Sequence, residues 1–280
     1  MTAKIGIAAC LGAIALFSVA QPSVRAAGPE KAKKRKGMVV PAELATGCLE
    51  MKVKRHHPIM WPNRPVHLLL EFGPYQVVDY ERGWTRSSST GSGTNQLGVV
   101  SGNAAYGYHF RVVSTETPEA PPWSCECSAA GAGSTLNQSS ESSEIRIPLS
   151  ARGRLQCSLD RGDGSEPWRL DLQHGIAYEP VPAYVYGLIP ACHATGRLVS
   201  GESVVTVEGT DRLAQYKKIG AQRITGFVLY HDERPVGAVD LFKPTVLIGP
   251  TMPDELRRAF IAASAALLLF EDLTQMPDER

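Results

Sequence analysis

Residues 259–270 read AFIAASAALLLF, a run that is apolar on nearly every side of a helix. A helix of that kind has no face to give to water, so something must enclose it. Its twelve residues are too few for a bilayer span, which needs ~20. Arg257, Arg258, Glu271 and Asp272 bracket the run with charge. The pattern predicts a helix over about 253–273, buried in the chain's own fold. Thr251-Met252-Pro253-Asp254 supplies the start signals: a hydroxyl cap, an early proline and an acid three residues after the cap. Burying the large side chains contributes on the order of 10 kcal/mol gross, at ~1.5–3 kcal/mol each.

The enclosing material reads as strands. Leu49, Met51 and Val53 alternate, as do Val66, Leu68, Leu70 and Phe72. Tyr106, Tyr108, Phe110 and Val112 repeat the period, and so do Ile145, Ile147 and Leu149. A period of two is the mark of a half-buried strand. Leu155, Cys157 and Leu159 lead into Arg161-Gly162-Asp163-Gly164, and Trp168, Leu170 and Leu172 lead out, which predicts a hairpin. Arg161-Gly162-Asp163 also spells an adhesion tripeptide, and the turn explains it. Further strands are expected at 197–200, 203–208, 224–230, 236–242 and 244–248. The stretch 210–220 fits a short helix capped by Thr210 or Asp211, or neither state. Ser87–Ala104 and Ser128–Ser143 are rich in small polar residues and read as long mobile loops. The second holds a glycosylation sequon, Asn137-Gln138-Ser139. Pro180, Pro182 and Pro190 punctuate 176–192, which reads as a junction between halves 44–175 and 193–280.

The fold class is therefore mainly β (α+β): many antiparallel strands, in a barrel or a sandwich, with one buried C-terminal helix. Many strands ending in one enclosed helix, seen mainly over 197–273, resembles the layout of tubby and phospholipid-scramblase proteins. That resemblance implies a barrel around the helix. A sandwich with the helix packed on one open face is the alternative.

The N-terminus reads as an address. Met1–Lys4 carries one lysine, and Ile5–Ala20 is an uncharged, mostly apolar run of sixteen residues. The run suits the core of a signal peptide better than a membrane span. Small residues permit cleavage after Ala20 or after Ala26, and the second leaves a polar segment behind the core, so 1–26 is read as the signal peptide. An uncleaved anchor is the alternative, because Lys31, Lys33, Lys34, Arg35 and Lys36 follow closely. Cys10 lies too near the start, with the apolar run behind it, for a lipidation box. Residues 27–43 read as a basic disordered linker, and 44–280 as the β-rich domain.

Charge is local. The whole chain is +1, with 29 basic and 28 acidic residues. Residues 1–38 hold seven of the bases and one acid, leaving 22 against 27, a net of −5. That body offers no basic face of the kind nucleic acid requires. The run at 31–36 suits a cationic tether to an anionic envelope surface, beside the plainer reading of a solvated spacer.

Five cysteines follow the leader: Cys48, Cys125, Cys127, Cys157 and Cys192. In an exported chain they are disulfide candidates. Cys125 and Cys127 share a strand face, and one of them is expected to bridge to Cys157. A second bridge is expected between Cys48 and Cys192.

Catalytic motifs are missing: no Gly-x-Ser-x-Gly, His-Glu-x-x-His, phosphate-binding loop or Cys-x-x-Cys occurs. Cys192-His193 is the most tempting pair, since a thiolate beside an imidazole is a nucleophile. His174 precedes it at a distance like that in exported cysteine transpeptidases, although the local text Ile189-Pro190-Ala191-Cys192-His193 departs from theirs. Neither His56-His57 with His67 or His109, nor Asp160 and Asp163 near His174, is spaced as a metal or acid–base site. Trp61, Trp84, Trp123 and Trp168 suit a carbohydrate or lipid site, with Trp123 and Trp168 better read as core.

No cofactor or metal is expected. The expected function is an exported (periplasmic or secreted), non-catalytic envelope protein of a bacterium that binds or supports. The alternatives are a secreted cell-wall hydrolase or transpeptidase using Cys192, His193 or His174, and a carrier of lipid or another apolar ligand. The carrier reading requires an open cavity beside the C-terminal helix.

Overall fold

The apolar runs and the alternating runs meet in one object, described here from a computed structural model over residues 37–56, 66–94, 97–139, 144–180, 188–214, 216–220 and 224–270. The signal peptide expected at 1–26 and the basic cluster at 31–36 lie outside the described residues.

A short helix α1 (Ala42–Ala45) precedes strands β1 (Leu49–Arg55), β2 (Val66–Phe72), β3 (Tyr75–Arg82) and β4 (Arg86–Gly93). Four long strands follow: β5 (Leu97–Ser114), β6 (Trp123–Ser139), β7 (Glu144–Asp160) and β8 (Trp168–Pro180). Then come β9 (Leu188–Ser200), β10 (Ser203–Thr210), β11 (Arg212–Leu213), β12 (Tyr216–Gly220), β13 (Gly226–His231), β14 (Arg234–Asp240) and β15 (Thr245–Ile248). The chain closes on α2 (Asp254–Leu269).

Thirteen strands form one antiparallel sheet in the order β3-β2-β1-β15-β14-β13-β10-β9-β8-β7-β6-β5-β4. A further pairing of β3 with β5 shuts the ring, so twelve strands make a closed barrel and β4 lies outside it. Closure removes the edges that a sandwich would leave. The barrel, not the sandwich, is the answer.

The seam has a visible cause. Register slips between Leu68 and Leu70 on β2 and between Val78 and Glu81 on β3. Asp79 sits inside that bulge at φ 51°. Bulges bend and twist a strand, and here the bend brings β3 round onto β5. It also explains why Leu69 and Leu70 are both buried, against simple alternation.

Elsewhere the alternation holds. Tyr106, Tyr108, Phe110 and Val112 on β5 face inward, as do Leu155, Cys157 and Leu159 on β7 and Leu170 and Leu172 on β8. They pack on α2, whose Leu256, Phe260, Ile261, Leu267, Leu268 and Leu269 are all at most 4% exposed. Alanines at 259, 262, 263, 265 and 266 let the wall approach the helix closely. The last carbonyls of a helix have no partner within it. Here the Tyr108 hydroxyl donates to the Ala266 carbonyl at 3.0 Å, and Arg55 Nη2 donates to that of Leu268 at 3.2 Å. The helix begins after Pro253 with no side-chain cap bond, so the hydroxyl cap expected from Thr251 does not form. Its last residue is Leu269, and 271–280 lie outside the described residues.

Strands β13 to β15 are buried on both faces. Outside, Val228, Ala238 and Leu247 pack against Met38 and Leu44. The segment expected as disordered linker therefore begins to pack by Gly37, six residues before its predicted end at 43. Two apolar residues, Met38 and Leu44, fill the satellite core and offset the ordering of this strap.

Other expectations change too. Ser87–Gly93 and Leu97–Ala104 pair as β4 and β5, and Ser128–Ser139 continues β6, with 95–96 and 140–143 outside the described residues. Ladder hydrogen bonds come from the backbone, so small residues pair without an apolar period. The stretch 210–220 is the end of β10 plus the β11–β12 hairpin, not a helix. Prolines 180 and 190 lie on β8 and β9, which pair with each other through Tyr178 and Pro190. The described parts of 176–192 thus pair as β8 and β9 within one barrel, 181–187 lying outside the described residues, and Arg35–Arg280 is one compact unit.

Candidate functional site

Four strands run past the barrel or along its flank together: β4, β5, β6 and β7. Around Ala105 and Ala130 their outward positions follow a simple rule of size. The two middle strands present Ala105 and Gly107 (β5) and Ser128, Ala130 and Ala132 (β6). The flanks present Arg86 and Ser88 (β4) and Arg152, Arg154 and Gln156 (β7). One hydrogen-bonded row reads Arg86, Ala105, Ala130, Arg154, Gln173 across five strands. Small residues between long ones make a groove, and three strand spacings set its width at ~14 Å between flank backbones.

The groove encloses about 700 Å³ around Ala105, Ala130 and Arg152. A second depression of about 530 Å³ shares Arg86, Ala105, Ala130 and Arg154 with it and adds Trp84. Trp84 is 68% exposed. Its place is set by the β3–β4 link, where the Gly83 N–H donates to the Gly107 carbonyl at 2.9 Å.

The charge is cationic. Arg154 donates through Nε and Nη2 to the two oxygens of Asp171 at 3.0 and 2.6 Å, which fixes the guanidinium in a bidentate pose. Arg86 and Arg152 have no carboxylate partner among the described residues. Three arginines against one aspartate leave the groove with net positive charge, on a body whose net charge is negative.

The residues singled out from the sequence are distributed differently. Cys192 and His174 lie on the inward faces of β9 and β8, 7% and 5% exposed. His174 pairs with Ala194 and Cys192 with Ile176, so they are diagonal neighbours under the end of α2. The His174 ring meets Phe270 edge-on at 5.0 Å. His193 points to the opposite, exposed face. The Cys192 N–H donates to Asp211 Oδ2 at 3.3 Å. Register brings Cys192 and His174 together but closes them off from solvent, and it separates His193 from both.

Cys127 and Cys157 face each other across β6 and β7 and form the disulfide, with Cα atoms 4.1 Å apart. The bridge to Cys157 therefore forms from Cys127. The expected Cys48–Cys192 bridge does not form: Cys48 is a free thiol beside the N-terminal strap, far along the barrel wall from β9. Cys125 lies fully buried on the face of Cys127, and burial pushes its thiol up.

His56, His67 and His109 lie apart from one another, each beside its own carboxylate: His56 pairs with Glu71, His67 with Asp79 and His109 with Glu81. No cluster of three metal-ligating side chains occurs among the described residues. His57 and Trp61 lie outside the described residues. Trp168 is 6% exposed and Trp123 half-buried, at a smaller cleft of about 230 Å³ near the start of α2. Asn137 of the sequon lies on β6.

No family model, curated protein or solved structure matches this chain. The groove is what sequence reading missed. Its only linear trace is the run of small residues at 128–134 opposite alternating arginines at 152 and 154, and it becomes a signal only once the register is known.

Proposed function

We infer that this is an exported, non-catalytic binding protein of a bacterial envelope, and that it binds an anionic ligand in the outer groove of β4–β7. The carrying observation is the placement of space. The barrel interior is occupied by α2, whereas an open, arginine-walled concavity lies outside. Among the described residues α2 packs directly against the barrel wall, which favours an external ligand over a molecule carried inside. The burial of Cys192 and His174 favours binding over thiol chemistry, since a nucleophile must reach its substrate. The buried Cys127–Cys157 bridge favours an oxidising compartment, as do the signal features at 1–26.

The test has two arms. Expression of the full chain in a bacterium followed by fractionation should yield, outside the cytoplasm, a protein beginning at Ala27. Recovery of the intact chain from cytosol with all thiols reduced would end the export reading. Placing a bulky side chain on the groove floor, Ala130→Trp, should abolish binding to anionic polymers while leaving the thermal unfolding midpoint in place. Turnover of peptidoglycan, ester or phosphoester substrates by the purified protein, lost in Cys192→Ala, would replace binding with catalysis.

A further inference from the structure

We propose that the ligand of the groove is an acidic glycan strand, a chain of sugars bearing carboxylates or phosphates; this rests on the groove being the binding site. Three features select that class. The floor of Ala105, Gly107, Ser128 and Ala130 carries no side chain larger than a serine, so a ligand strand can lie close to the backbone. The two depressions share Arg86, Ala105, Ala130 and Arg154, so the floor continues from one into the other along β5 and β6 and suits a ligand several units long. The groove's walls offer two kinds of contact. Trp84, 68% exposed and lining the adjoining depression, supplies an aromatic surface of the kind on which the C–H side of a sugar stacks. Arg86 and Arg152 on opposite walls supply planar guanidinium groups that pair with carboxylate or phosphate oxygens.

Asp171 has a role in this scheme. By accepting from Nε and Nη2 of Arg154, it neutralises one of the three cations and fixes that guanidinium at the groove wall. A groove built only for negative charge would leave that arginine open. Here the arrangement mixes charge with an apolar stacking surface, which is the composition of an acidic sugar chain. An acidic peptide would use the arginines and leave the tryptophan idle.

The experiment is affinity electrophoresis of the purified protein through gels containing polygalacturonate, dextran or polyglutamate, with flotation on vesicles of phosphatidylglycerol as a fourth arm. Retardation by polygalacturonate is expected, with none by dextran and little by polyglutamate. Trp84→Ala and the double variant Arg86→Ala with Arg152→Ala should each weaken polygalacturonate binding by about tenfold, the scale of a lost stacking or charge contact. Trp84→Ala should leave the weak polyglutamate binding unchanged. Equal retardation by polyglutamate and polygalacturonate, both insensitive to Trp84→Ala, would overturn the glycan and leave an acidic peptide in a valid groove. Vesicle binding without polygalacturonate binding would overturn it in favour of a lipid surface. Binding that survives Ala130→Trp, or no binding in any arm, would sink the groove itself as well as its ligand.

Discussion

The carboxylate of Asp240 accepts the backbone N–H of Met38 at 3.0 Å, across 202 residues of chain. The same side chain accepts the N–H groups of Phe242 and Lys243 at 2.9 and 2.8 Å, so it shapes the β14–β15 turn and ties the N-terminal strap to it. It is fully buried, yet well supplied with donors. The fit is close: a Cβ on Gly37 would fall 2.2 Å from Asp240 Oδ2, and Gly37 adopts φ +149°, which other residues rarely do.

Replacing this carboxylate strands three N–H donors. Asp240→Ala should therefore lower unfolding free energy by ~3 kcal/mol, given the cost of buried donors left without acceptors. Urea unfolding measures the loss. Limited proteolysis should cut the variant within 37–48 before the barrel unfolds. An unchanged midpoint and a resistant strap would refute the linchpin role.

Gly237 lies under the helix. A Cβ there would stand 2.7 Å from two atoms of the Phe260 ring and 2.9 Å from Met252 Cε. Gly237→Ala should cost about 1–3 kcal/mol by overpacking, and Phe260→Ala about 3–5 kcal/mol through the cavity. Combining Gly237→Ala with Phe260→Leu should recover part of the first loss. Strict additivity in that cycle would show that the two sites do not touch in solution.

The thiols should report burial in order. In native protein, Cys48 is expected to react with a maleimide, and Cys125 and Cys192 only after unfolding, as read by mass. The Cys127–Cys157 bridge closes a sequence separation of 30 residues, and Cys127→Ala with Cys157→Ala should cost about 2–4 kcal/mol. Burial holds the Cys125 thiol above its ordinary 9.0. The unfolded chain then ionises first, so stability is intact below about pH 9 and falls as pH rises beyond it. Cys125→Ala should flatten that alkaline slope.

The closing seam carries its own pH signature. Arg111 donates through Nε and Nη2 to Asp79 Oδ2, and this bonding holds the Asp79 carboxyl below its ordinary 3.8. The carboxylate therefore adds stability above that value and loses it as pH falls through the depressed range. Both side chains are more than a third exposed, so the contribution should stay below ~1 kcal/mol. Asp79→Asn should separate from the parent in urea at about pH 7 and converge with it at about pH 2. A difference that persisted in acid would assign the effect to the bulge backbone instead.

The sequence was informative where one face of an element is large and apolar. AFIAASAALLLF announced an enclosed helix, and Leu155-x-Cys157-x-Leu159 with Trp168-x-Leu170-x-Leu172 announced the hairpin that β7 and β8 form. It was silent at Ser87–Gly93 and Ser128–Ser139, where strands rest on backbone pairing and carry no period of large residues. Pro180 and Pro190, read from the sequence as marks of a junction, lie on the paired strands β8 and β9.

By itself, then, the chain's order of residues determined local matters: which segments alternate, that the last helix has no wet side, and that Cys125 and Cys127 share a strand face from which Cys157 could be bridged. Only the tertiary structure decided that the sheet closes through β3 and β5, that Cys127 makes that bridge, and that Arg86, Ala130 and Arg154 share a row. The reason is physical. Alternation records which side of a strand faces the core, a property of neighbours in sequence. Register and closure depend on hydrogen bonds between residues tens to hundreds of positions apart, and no local pattern encodes them.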